Sequence, residues 1–470
     1  MKHIFFVMIC LYLPMHVLTN PDIAVIGTGY VGLVTGAGLA EYGNKVVCAD
    51  IDSEKIIALN NGIIPIYEPN LDLLVAQNKE NGQLFFTDNI EEAIRQASII
   101  IIAVGTPMGE DGSADLTAVF NVIGTIARVI DSHKTIVTKS TVPVGTGALI
   151  RYLLEYTYQI DGALFNVVSN PEFLREGSAV HDFLNPDRIV IGAESTEAFD
   201  IMCEIYKCVL TNDVPAVLTN IPTAEIIKYA SNAFLATKLS FINEIANLCD
   251  ATGGHVQIVS YAMGLDPRIS PLFLKPGPGY GGYCFPKDTQ ALVHIAEQYN
   301  LPMNTVQGAI STNNMQHHIP VQKLCALMDQ PLEHKTVAVL GLAFKANTDD
   351  IRYSPSITAI QDLLTQNAYI KVYDPQAMSQ AQKLFPTIMY CSCIEEALSN
   401  ADACIIMTEW DDFKYLTPEY VAYYMQGTYL VDARNILNLD DFSNYGFQCD
   451  GIGQSIKHNP TSSCPGAFKN

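Results

Sequence analysis

The chain has 470 residues, too many for one ordinary core, and its 49% apolar and 16% charged content is that of a globular protein with buried sheets. A formal net charge of −22 excludes sequence-independent binding to nucleic acid or to an acidic membrane, since both need a positive footprint. The twelve cysteines form no C-x-x-C pair, so neither a zinc site nor a disulfide framework is expected, and no metal is assigned.

Residues 1–20 form a hydrophobic extension. The apolar run 4–18 is shorter than a membrane span, and Pro14 and His16 interrupt it. No small-x-small cleavage site follows, so it reads as an extension or an over-long start, with Met15 as an alternative, in a cytoplasmic protein. Export or membrane association is the minor alternative.

From residue 21 the chain alternates short β-branched runs with helical stretches. The runs 23–27, 45–50, 98–104, 135–139, 166–169 and 188–192 are continuously apolar, as in parallel strands covered on both faces. This is the rhythm of a doubly wound α/β domain, assigned to residues 21–205. Residues 223–252 contain neither Pro nor Gly, with Pro222 before them and Gly253-Gly254 after. They predict one long helix in a central helical segment, 206–325, with apolar residues on more than one side and hence a subunit interface. A second α/β rhythm, assigned to residues 326–450, has strands at 336–343, 369–373, 403–407 and 428–432. The pattern fades from about Asn438, and residues 451–470 read as an irregular tail. The expected fold is therefore α/β: two doubly wound, Rossmann-like domains joined by a long central helix and a helical dimerisation region.

Gly27-Thr28-Gly29-Tyr30-Val31-Gly32 directly follows the first strand and opens a helix. Glycines there permit a tight turn and close approach of backbone to a pyrophosphate, which the helix N-terminus favours. Asp50 ends the next strand, where a carboxylate can accept ribose hydroxyls and disfavour a 2′-phosphate. The pair predicts NAD rather than NADP, although Lys55 nearby weakens the distinction. Val104-Gly105-Thr106-Pro107 and Lys139-Ser140-Thr141-Val142-Pro143 end consecutive strands, where ligands bind in such sheets.

Asn170-Pro171-Glu172-Phe173-Leu174-Arg175-Glu176-Gly177 also follows a strand, and its two glutamates are either a helix start or part of a site. On the long helix, Lys228 and Asn232 are four apart and share a face, where an ammonium and an amide can hold an oxyanion. The segment 279–288, GYGGYCFPKD, places Cys284 in a glycine-rich loop, with Asp288 near it if a helix starts at Pro286. A reactive thiol needs a cation beside it, and Lys228 or Lys287 is expected to serve. Lys345, Arg352 and Arg434 are cations suited to a diphosphate or equally to a solvated surface.

Together the segments GTGYVGLVTGAGLAEYGNKVV, KSTVPVGTG, NPEFLREGSAV, LNPDRIVIG, FLKPGPGYGG, CFPKD and GLAFKANTDDIR resemble the UDP-glucose/GDP-mannose dehydrogenase family, from about Ile23 to about Leu437. Within it the chain is most similar to members that oxidise UDP-glucose. The resemblance implies oxidation of a 6-hydroxymethyl group to a carboxylate with two NAD and water, in a homodimer or higher homo-oligomer. Cys284 would form a thiohemiacetal and then a thioester, Lys228 and Asn232 would hold the oxyanions, Asp288 and Thr141 would place a water, and Glu172 would assist hydrolysis. NAD would meet Gly27, Gly29, Tyr30, Val31, Gly32, Asp50, Lys55, Thr106, Thr141, Glu176, Lys287 and Arg352. The UDP-sugar would meet Glu172, Phe173, Leu174, Lys228, Asn232, Arg268, Phe273, Lys275, Tyr280, Gly281, Phe344, Lys345 and Arg434.

Tyr283 departs from the pattern, standing where a small residue such as Ser is common, and Ala346 replaces a frequent Pro. The alternatives are a 6-dehydrogenase of GDP-mannose or of a UDP-N-acetylhexosamine, a single-oxidation dehydrogenase of 3-hydroxy acids, and a nucleotide-sugar sensor without turnover.

Overall fold

The computed structural model describes residues 22–454. The extension 1–20 and all but the first four residues of the expected tail lie outside the described residues.

Eight strands form the first sheet: β1 (Ile23–Ile26), β2 (Val46–Ala49), β3 (Leu84–Thr87), β4 (Ile99–Ile102), β5 (Lys134–Thr138), β6 (Phe165–Ser169), β7 (Ile189–Gly192) and β8 (Ala216–Thr219). Their order is β3-β2-β1-β4-β5-β6-β7-β8. The first six run parallel in the doubly wound order, with the reversal between β1 and β4. Fully buried β1, β4 and β5 bear out the continuous apolar runs. β7 departs from the expected parallel set, meeting β6 antiparallel through one pair, Ser169 with Gly192. β8 lies beyond the boundary expected at 205, so the first sheet continues to Thr219 and the central segment begins later.

The long helix spans Ile221–Thr252. Asn220 caps it through Oδ1, which accepts from the Thr223 N–H, Pro222 sits in its first turn, and Gly253 ends it at φ +81°. Glu225 ties it to the first domain by accepting from the Gly145 and Gly147 N–H groups at 2.7 and 2.9 Å. The helices Cys284–Gln298 and Asn304–Gln316 pack along it.

The second sheet orders β11-β10-β9-β12-β13-β14, all parallel, from β9 (Thr336–Leu340), β10 (Tyr369–Tyr373), β11 (Met389–Tyr390), β12 (Ala403–Ile406), β13 (Tyr429–Asp432) and β14 (Gln448–Gly451). The pattern does not fade at Asn438: a helix, Leu439–Tyr445, leads into β14. Leu439, Phe442, Phe447 and Cys449 are buried in this domain's core. No helix among the described residues is long and apolar enough to cross a membrane.

Candidate active site

The turn after β1 has the close packing that glycines permit. Gly27 has φ +101°, and a Cβ on Gly32 would lie 1.9 Å from the Gly27 carbonyl oxygen. Gly29 caps the helix Tyr30–Glu41, and a Cβ there would meet nothing within 4 Å. An open helix start above a tight turn suits a pyrophosphate. Beside it, the Asp50 carboxylate accepts from the Thr28 N–H at 2.7 Å and the Thr28 hydroxyl at 2.8 Å. Burial pulls the Asp50 carboxyl up, but Thr28, the Asp52 main chain and Lys55 outweigh it and hold it below the usual range. Lys55 lies 3.4 Å from Asp50, so its charge is committed there.

The strand-end loops expected to flank this site are stitched together. The Thr106 hydroxyl donates to the Thr141 carbonyl at 2.9 Å, and the Ser140 hydroxyl to the Val104 carbonyl at 2.6 Å. Val31 packs on the first core. The Tyr30 hydroxyl accepts from the Gly177 N–H, linking the glycine turn to the loop after β6. Glu68, to which no sequence pattern pointed, braces the same loop by accepting from the Gly177 and Ala179 N–H groups at 2.7 Å each.

Two buried charged clusters meet at Cys284. In the first, Lys228 donates to Glu172 Oε1 at 2.7 Å and to the Glu172 carbonyl at 2.8 Å. In the second, Asp288 accepts from Lys287 and from Asn232 Nδ2, both at 2.6 Å. Lys228 with Asn232, and Cys284 with Asp288, are four residues apart on their helices, so each pair projects from one face. The second helix starts at Cys284 rather than at Pro286, which sets the thiol at a helix N-terminus.

The expectation that Lys228 or Lys287 activates the thiol at rest is not met. Both ammonium groups are committed to carboxylates. Burial pushes the Cys284 thiol up to about 12, with Lys228 opposing and Glu172 and Asp288 reinforcing it. The Glu172 carboxyl is also raised by burial, but Lys228 and the Leu174 N–H more than reverse this and hold it low.

A cleft of about 910 Å³ opens between the two sheets and the central helices. Its walls include Cys284, Glu172, Phe173, Leu174, Lys228, Asn232, Phe273, Lys275, Tyr280, Gly281, Phe344, Lys345 and Arg434. Arg268 does not join them. Its side chain is 88% exposed and forks onto Asp266, two residues earlier in a surface turn. Asp288 and Thr141 are also absent from the walls, Asp288 being fully buried behind Asn232. At the far end Arg434 donates to the Met407 and Phe344 carbonyls and pairs with Glu409.

Glu176 and Arg352 meet 3.6 Å apart, although Arg352 is held mainly by Asp350 at 2.7 Å. Burial, reinforced by Asp350, pushes Glu176 up to about 8. The Tyr283 ring stacks on Arg352, with 4.2 Å between guanidinium and ring centre. Sequence reasoning also passed over Arg188, whose guanidinium covers the Phe173 ring at 3.8 Å.

Residues 21–210, 222–315 and 338–439 match the NAD binding, central and UDP binding domains, respectively, of the UDP-glucose/GDP-mannose dehydrogenase family. The chain is 46% identical over 433 residues to UDP-glucose 6-dehydrogenase TuaD of Bacillus subtilis (strain 168), covering 92% of this chain and 93% of that protein. A UDP-glucose dehydrogenase structure from Pyrobaculum islandicum aligns at TM-score 0.87 and 36% identity, covering 94% of this chain and all of that one. A UDP-D-ManNAc dehydrogenase structure from Pyrococcus horikoshii aligns at TM-score 0.81 and 28% identity, over 92% and 99% of the two chains. With the glycine turn, the buried charged clusters and the three matched segments in one order, the chain belongs to the UDP-glucose/GDP-mannose dehydrogenase family and takes NAD as its cofactor.

Proposed function

We propose that the protein oxidises UDP-glucose to UDP-glucuronate through covalent intermediates on Cys284. The observation that carries this reading is the Cys284 thiol on the wall of the cleft, beside the Lys228–Glu172 pair and the Asn232–Asp288 contact. A single alcohol oxidation needs no such thiol, and a sensor needs no buried charged clusters.

The chemistry that bound NAD supplies is acceptance of one hydride in each of two oxidations. In the first, the C6 hydroxyl of the sugar loses a hydride and a proton and becomes an aldehyde. The Cys284 sulfur then bonds to the aldehyde carbon, and its proton passes to the oxygen, giving a thiohemiacetal. Loss of a hydride from that carbon and of the oxygen-bound proton leaves a thioester. Water adds to the thioester carbon, the C–S bond breaks, and the carboxylate and the free thiol result.

Lys228 has three N–H donors, two of them on Glu172. The third is available to the substrate oxygen, where negative charge develops in each addition. Asn232, held by Asp288, supplies a second donor beside it. Glu172, an anionic carboxylate on the cleft wall, is the base for the attacking water. Asp288 and Thr141 stand outside the cleft walls and would act through an intervening water. Lys345, Arg434 and Lys275 provide the positive end that a diphosphate requires.

The central helix exposes Phe234, Phe241 and Leu248, seven residues apart on one face. We read this stripe as the face that docks on a second copy of the chain.

The decisive experiment counts NADH formed per sugar consumed with purified protein and a panel of nucleotide sugars. Two NADH per UDP-glucose, with the highest kcat/KM in the panel, is the expected result. One NADH with an aldehyde product sinks the covalent reading, and a higher kcat/KM for another nucleotide sugar reassigns the substrate.

A further inference from the structure

Lys139 follows β5 and is 4% exposed, yet the mechanism above gives it no task. Its ammonium rests on neutral oxygens: Asn170 Oδ1 at 3.1 Å, the Tyr206 hydroxyl at 3.2 Å and the Asn170 carbonyl at 3.5 Å. Among the described residues it forms no ion pair. Burying an ammonium without a carboxylate is costly, and an apolar side chain would fill the space more cheaply if packing were the only demand.

The groups around it are fixed. Asn170 Oδ1 accepts from the Tyr206 hydroxyl at 2.7 Å, while Nδ2 donates to the Val190 carbonyl at 2.8 Å and the main-chain N–H to the Thr138 carbonyl at 2.9 Å. Two residues on is Glu172, and both Lys139 and Glu172 line the cleft. Lys139 attracts Glu172 and repels Lys228. Meanwhile the two ion pairs beside Cys284 cancel, so they leave no net positive charge for an oxyanion or thiolate.

We infer that Lys139 is a positioning residue: it anchors the Asn170–Glu172 segment and supplies positive charge that Glu172 would otherwise draw wholly from Lys228, whose free N–H then serves the substrate oxygen. This rests on the roles proposed above for Glu172 and Lys228. Burial pushes the Lys139 ammonium down to about 8, so its charge is present at neutral pH and fades in mild alkali. The other groups facing this pair are Tyr206 at the end of the preceding helix, Lys228 on the central helix and Cys284 on the next; Arg188 lies beyond Phe173.

The test is the pH dependence of kcat for Lys139→Met, Lys139→Arg, Lys139→Gln and Glu172→Gln enzymes, each checked for folding by thermal melting. Losing the Lys139 charge makes Glu172 easier to protonate. The acid limb in Lys139→Met therefore moves up by about one pH unit, and kcat at a fixed pH on that limb falls roughly tenfold, the factor that one pKa unit represents. Lys139→Arg keeps the limb where it is. Lys139→Gln removes the charge and keeps polar contact with the Asn170 and Tyr206 oxygens, so it reproduces the upward shift even if Lys139→Met fails to fold. Glu172→Gln abolishes the limb. An unmoved limb in Lys139→Met and Lys139→Gln, with its loss in Glu172→Gln, overturns the inference. If Glu172→Gln keeps the limb, the role proposed for Glu172 is what fails, and the inference falls with it.

Discussion

Lys228 and Glu172 lie 56 residues apart in sequence and 2.7 Å apart in space, with side chains only 4% and 5% exposed. The ammonium is held above its usual range although burial opposes this, and the carboxyl below it, each chiefly by the other. Removing one partner strands a buried charge, which typically costs about 3–5 kcal/mol. Glu172→Gln and Lys228→Met are therefore expected to lower the melting temperature at pH 7 as well as activity. A folded-state pKa below the unfolded one gives stability that is present above the ordinary carboxylate range and is lost as pH falls through the lowered value. The stability gap between wild type and Glu172→Gln should shrink in acid, as denaturant unfolding in a series from pH 7 down to pH 2 would reveal. A constant gap would mean that the pair is not ionised as the geometry implies.

The thiol of Cys284 behaves differently from that of a pre-activated cysteine protease. With its pKa at about 12, alkylation by iodoacetamide should accelerate about tenfold per pH unit from 7 to 10 without a plateau. Peptide mass spectrometry must follow Cys284 itself, because Cys208 is exposed and reacts independently. A plateau near pH 8 would show that Lys228 already activates the resting thiol. Cys284→Ser should still bind the nucleotide sugar and lose at least about a thousandfold in overall turnover, because a hydroxyl is a far weaker nucleophile near neutrality.

The motifs that position the site were legible because each is a local demand on the backbone. The glycine turn, the strand-end Thr106 and Thr141 loops and the loop after β6 all carry Gly or Pro at sheet ends, where ligands gather. The pairing of their side chains was not legible. Lys228 read as an oxyanion holder beside Asn232, and only the fold shows Glu172 taking two of its three donors. Arg268 read like its neighbours in the cleft, but a carboxylate two residues away holds it outside. Among the strands, β3 and β8 carry only three consecutive apolar residues each, Leu84–Phe86 and Ala216–Leu218, shorter runs than those that betrayed β1 and β4. β14 carries polar Gln448 and Asp450, and the packing of Cys449 beneath it is what makes it a strand.

Asp50 should set the cofactor choice. Its carboxylate is fixed by Thr28 at the end of β2, where a ribose would lie. Asp50→Ser should raise Kd for NADH by about tenfold, the loss of one charged hydrogen bond, measured by fluorescence titration without turnover. It should also release Lys55 from its 3.4 Å contact and improve NADPH binding. Unchanged affinities for both would remove Asp50 from the cofactor site.

Tyr283 stands where the resemblance to the family leads one to expect a small residue, and its position bears on whether it changes the sugar preference. The ring lies against Arg352, which reaches toward Glu176 in the first domain, and Lys287 Nζ lies 5.5 Å from the centre of the same ring. A stack of this kind is worth about 0.5–2 kcal/mol. Tyr283→Phe retains the stack and should resemble wild type in the ratio of kcat/KM between UDP-glucose and other nucleotide sugars. Tyr283→Ser should raise KM for NAD several-fold while leaving that ratio unmoved, because the lost contact is to Arg352. A changed sugar ratio with an unchanged KM for NAD would assign the ring to the substrate side of the cleft instead.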